Sequence, residues 1–144
     1  MRDVRRAAGA VLVAVSALVL SGCAQVEATV HEPYPAVEIV DGADKAAPKT
    51  LTLTADAIRR LEVATVVVED PAALPFAAVV YDKKGKPWVY TNPTERTFIR
   101  VPVTIERITG DTAAVSAGPA RGTHVVTRAA IKLYGAETGV GGGH

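Results

Sequence analysis

The chain has 144 residues, 49% of them hydrophobic, with one cysteine, one tryptophan and a formal charge of +1 from 16 basic and 15 acidic side chains. That length suits one ordinary domain, and the near-neutral balance argues against both a basic nucleic-acid-binding surface and an acidic disordered tail. A single cysteine excludes an internal disulfide framework and a cysteine-based zinc site, and aromatics at 5% leave the core to Val, Ile, Leu and Ala.

Arg2, Arg5 and Arg6 open the chain, opposed only by Asp3, and residues 7–20 then run without a charge. Fourteen helical residues reach about 21 Å, short of the roughly 30 Å hydrocarbon core but suited to a secretory h-region. The run ends in Leu20-Ser21-Gly22-Cys23, which resembles the lipobox of bacterial lipoproteins. In such proteins the small residues fit the signal peptidase, the thiol is acylated, and cleavage frees the cysteine amine. The expectation is therefore a signal peptide over 1–22, recognised through Leu20, Ser21 and Gly22, with Cys23 as lipid anchor. An uncleaved signal anchor is the alternative, and it leaves the protein on the same extracytoplasmic face of the bacterial cell membrane. Removing the first 22 residues takes away three arginines and one aspartate, which moves the formal charge from +1 to −1.

Residues 23–49 read as a flexible tether, with Pro33, Pro35 and Pro48 among scattered charges. Within it, 35–40 alternates and is also a candidate edge strand. Thr50-Leu51-Thr52-Leu53 has the period of a strand, and Thr54 stands where it can cap a helix over 55–61, with Asp56 in the first turn. Ile58 and Leu61 give that helix one apolar edge. The β-branched run 63–68 follows and stops at Glu69-Asp70-Pro71.

From there strands and turns alternate. Segments 76–81 and 88–91 flank the polar loop 82–87, a hairpin signal. Residues 97–108 form a long strand candidate, with Val101, Val103 and Ile105 on one side and Arg100, Pro102, Thr104 and Glu106 on the other. Pro102 marks it as an edge strand or a bulged one. A turn at 109–112 leads to 113–115, a turn at 118–122 leads to 124–127, and 129–134 is either a last strand or a helical turn. Residues 136–144, with Gly141-Gly142-Gly143, read as a flexible tail. The expected fold is mainly β, a domain over 50–135 of six or seven short strands with one short helix. One helix-length segment is too few for a doubly wound α/β fold.

Catalytic chemistry is not legible. The histidines are His31, His124 and His144, with no nucleophile paired to them and no Gly-rich phosphate loop. Neither an enzyme nor a cofactor is expected. For metal, His144 beside the chain carboxylate and His124 in its strand are weak candidates only. Lys83, Lys84 and Lys86 cluster in one hairpin, as a solvated turn or as a contact for lipid headgroups or an acidic partner. Trp88 and Tyr90 share one strand face, which is either an exposed aromatic contact or a covered sheet face.

The order of segments resembles the periplasmic adaptor (membrane fusion protein) family. Leu51-Thr52-Leu53-Thr54, the short helix to Leu61 and Val63-Ala64-Thr65-Val66-Val67-Val68 are similar to the strand, helix and strand that lead into that family's membrane-proximal domain. Pro75-Phe76-Ala77-Ala78-Val79-Val80 resembles the return strand, 85–89 the hairpin, and Val101-Pro102-Val103-Thr104 the next strand. Gly118-Pro119-Ala120-Arg121-Gly122-Thr123-His124-Val125-Val126 resembles the closing turn and strand. The resemblance spans about residues 50–135. In the family a lipoyl-like domain, an α-helical hairpin and most of a β-barrel separate the leading and return strands; here 70–74 joins them directly.

The resemblance implies a membrane-proximal domain alone on a lipid tether, without catalytic residues, docking against a resistance–nodulation–division permease or another envelope transport component. Trp88, Tyr90, Lys83 and Lys84 would be its contacts. It gives no reason to carry over the reach to an outer-membrane channel. The alternative is a solute- or metal-binding envelope lipoprotein that uses His124, His144 and Tyr134.

Overall fold

The computed structural model describes residues 36–43 and 47–139. The fold is mainly β. Among the described residues the ten strands are β1 (Val37–Val40), β2 (Thr50–Leu53), β3 (Ala64–Val67), β4 (Ala73–Pro75), β5 (Val79–Tyr81), β6 (Pro87–Thr94), β7 (Thr97–Pro102), β8 (Thr104–Thr109), β9 (Thr112–Ala117) and β10 (His124–Arg128). The same residues form two α-helices, α1 (Ala55–Leu61) and α2 (Ala130–Thr138). All pairings are antiparallel. A seven-stranded sheet has the order β1-β2-β7-β6-β10-β3, with β5 also on β6, and a three-stranded sheet has the order β4-β9-β8.

The period of two in β6 decides how the layers stack. Trp88 and Tyr90 point to one face and Val89 to the other. On the first face they join Leu51, Leu53, Phe98 and Val126, and the cover comes from Ala57 of α1 with Ala130 and Leu133 of α2. On the second face Val89 and Val125 pack with Leu74, Ala113 and Val115 of the small sheet. The large sheet is therefore covered on both sides. Both faces of the central strands are thereby filled mostly by Leu, Val and Ala, with few aromatics.

The local signals around α1 act as their chemistry requires. The Thr54 hydroxyl oxygen accepts the Ala57 N–H at 3.1 Å, and Asp56 pairs with Arg59 one turn later. Glu62 ends the helix in a left-handed conformation (φ 56°), its N–H turned back to the Arg59 and Ile58 carbonyls.

Four expectations change. The 97–108 run is two strands in two sheets, broken at Val103, whose N–H donates to the Pro87 carbonyl at 3.2 Å while its side chain enters the second core. Pro102 has no N–H to extend the ladder and stands at the break; Val101, Val103 and Ile105 still share one core. Phe76–Ala78 is a 3₁₀ turn, not strand, and the Phe76 N–H reaches the Asp111 carbonyl.

The other two changes are at the ends. Within 23–49, β1 pairs with β2 from Val37↔Leu53 to Val40↔Thr50, so the domain begins before Thr50. Within 136–144, α2 runs to Thr138 and closes on Gly139 (φ 76°), because Leu133 and Glu137 are buried on the face it presents to the sheet. Among the described residues no helix is long and apolar enough to cross a membrane.

Candidate functional site

Polar chemistry inside the fold centres on Glu137, which α2 brings over the Tyr90 and Arg100 side of the sheet. Tyr90 and Arg100 are register partners on β6 and β7, so their side chains lie side by side on one face. The Glu137 side chain is 2% exposed and that of Arg100 13%. Arg100 Nε donates to both carboxylate oxygens, at 2.8 and 2.9 Å. The Tyr90 hydroxyl donates to Oε2 at 2.5 Å, and the Lys49 backbone N–H donates to Oε1 at 3.2 Å. Among the described residues no buried side-chain polar atom lacks a partner. Burial, and then the adjoining Glu137 carboxylate, push the Tyr90 phenol far above its ordinary range, so it stays a donor.

Arg100 also stacks over the Trp88 ring at 4.2 Å and approaches the Tyr134 ring at 5.7 Å. Lys86 Nζ sits 4.8 Å from the Trp88 centroid, and the Trp88 indole N–H donates to Asp82 Oδ2 at 3.1 Å. Asp82 in turn organises the β5–β6 loop. Its Oδ1 accepts the Lys84 and Lys86 N–H groups at 2.8 and 2.9 Å, and Gly85 supplies the positive φ (76°) the turn needs. The Lys86 amide, foremost, holds the Asp82 carboxyl below the usual carboxylate range.

This centre ties α2 to the large sheet, with the Glu137 carboxylate and the Tyr90 phenol shielded from solvent. Trp88 and Tyr90 are buried, which corrects their candidacy as partner contacts; the covered sheet face is the arrangement found. Lys83 and Lys84 are exposed on the turn that Asp82 shapes. His124 is exposed at the start of β10, opposite Val67, and Tyr134 is half-buried against the first core. Leu20, Ser21, Gly22, Cys23, His31 and His144 lie outside the described residues. Among the described residues no group of three or more His, Cys, Asp or Glu is placed to hold a metal ion.

An open groove of about 370 Å³ lies between α1 and the β6–β7 turn. Ile58, Val63 and Phe98 give it apolar walls, and Thr65 of β3 borders it. Exposed Arg59, Glu95 and Arg96 surround it. Arg96 holds a left-handed φ of 64°, a position usually left to Gly or Asn.

Sequence reading missed Glu137 and placed Arg100 on a polar strand face. One signal was available: Ala130, Leu133 and Glu137 fall at i, i+3 and i+7, one face of a helix. No family model matches the chain, and no curated protein or solved structure matches it either.

Proposed function

We propose that this chain is a membrane-anchored lipoprotein whose β-domain is a non-catalytic accessory subunit of a transmembrane export system on the extracytoplasmic face of a bacterial cell. The observation that carries the reading is Leu20-Ser21-Gly22-Cys23, directly after a positive n-region and a charge-free run of secretory length. The order of segments over 50–135, similar to the membrane-proximal domain of periplasmic adaptors, supplies the kind of partner: a resistance–nodulation–division permease or another envelope transport component.

Crosslinking of the native, membrane-bound protein followed by mass spectrometry tests the proposal. A permease recovered with the wild type, and lost when the chain is released from the membrane, is the expected outcome. A clean monomer with no envelope neighbour would refute the transport role.

A further inference from the structure

Among the described residues the two sheets have five outer edges, and four of them carry features that discourage pairing. In the small sheet β4 ends in Pro75, and β8 carries Glu106 and Arg107. In the large sheet β1 carries Glu38, and β5, bonded only to β6, is three residues long and runs straight into Asp82-Lys83-Lys84. The fifth edge is β3, which among the described residues is bonded only to β10, and 63–68 has neither a charge nor a proline. Val66 and Val67 are 39% and 46% exposed. An outer strand of this kind presents alternate N–H and C=O groups to solvent beside apolar side chains, a template that natural sheets ordinarily blunt.

Two further features say what fits there. Val63 and Thr65 border the groove, and Val67 shares their side of the strand. A strand laid beside β3 therefore finds an apolar recess at one end, in the way strand-addition sites combine main-chain bonds with side-chain pockets. The other end runs into Glu69 and Asp70, both exposed. His124 and Arg128 are the basic register partners of β3, opposite Val67 and Ala64 on the β10 side. At the groove end Glu62 stands 4.0 Å from Arg128, Arg59 pairs with Asp56, and Glu95 and Arg96 flank the opening.

We infer that β3 is a docking edge for an extended segment of another protein, added antiparallel, with basic residues at its N-terminal end and β-branched apolar residues following. An antiparallel strand passes its N-terminal end over Glu69 and Asp70 and its apolar portion over Val63 and Thr65. A second copy of this chain is the poorer occupant, because β3 flanked by Glu62, Glu69 and Asp70 meets like charges when it faces itself. The inference concerns the folded domain alone and goes beyond the anchoring and transport reading; it stands or falls independently of Cys23.

The test is titration of the full chain with a fluorescent peptide, Lys-Lys-Thr-Val-Ile-Val-Ala, and two backbone N-methylated forms. One form is methylated at the odd and the other at the even positions of the apolar stretch. Strand addition predicts saturable binding, a loss of about tenfold or more for one methylated form, and near-retention for the other, since only alternate N–H groups face the neighbour. Glu69→Lys should weaken the basic peptide and favour a Glu-Glu analogue, and Val67→Lys should weaken both. Circular dichroism confirms that these surface variants fold. Absence of saturable binding, or equal loss with both methylated forms, would overturn the inference. So would a dimer in sedimentation that Val67→Lys dissolves, which would make a second copy the occupant.

Discussion

Removing the Glu137 carboxylate would leave the Arg100 guanidinium in the interior with its charge unanswered. Breaking one side of a buried pair in this way costs about 3–5 kcal/mol, and Tyr90 and the Lys49 amide would lose their acceptor as well. Glu137→Ala is therefore expected to lower the urea midpoint strongly. Tyr90→Phe removes one hydrogen bond to a charged group and should cost about 1.5–3 kcal/mol. The same phenol makes stability depend on alkaline pH. Its folded pKa is raised, so its contribution is fully present below the unfolded value of about 10 and is lost as pH rises above it. Urea titrations at pH 8 and pH 11 should show a steeper decline for the wild type than for Tyr90→Phe. Arg96 works in the opposite sense: its left-handed backbone costs about 1 kcal/mol, and Arg96→Gly should raise the thermal midpoint.

At the scale of elements, what could be read from the chain depended on whether the signal was local. The α1 cap at Thr54, the β5–β6 loop and the turn at Gly110 were legible because side chains a few residues apart decide them. Thr54→Ala should accordingly cost about 1 kcal/mol, measurable by thermal denaturation. The break at Val103 was not legible, since alternation continues unbroken from Val101 to Ile105 and only the second sheet shows why the chain must leave the first. The last turn of α2 was hidden for a related reason. Gly135 and the glycines from 141 onward suggest a tail, whereas Glu137 is held by Arg100, 37 residues earlier, and that pairing has no trace in local propensity. β1 lies between the two cases: alternation over 35–40 marks a candidate edge strand, while its register is supplied by β2.

For the whole molecule, the anchoring proposal makes a demand that the folded domain cannot meet by itself. On that proposal the processed chain, formally −1, gains little attraction to anionic lipid, and acylated Cys23 is what would hold it at the membrane. Each buried methylene of an acyl chain contributes about 0.8 kcal/mol; one chain binds reversibly, whereas two or more hold firmly. The wild type should therefore partition into the detergent phase on extraction, incorporate labelled palmitate, and migrate without its first 22 residues. Cys23→Ser should remove the label and retain the precursor mass, because acylation precedes cleavage in the lipobox pathway the sequence resembles. A mature, unlabelled wild-type protein in the aqueous phase would contradict the lipoprotein reading.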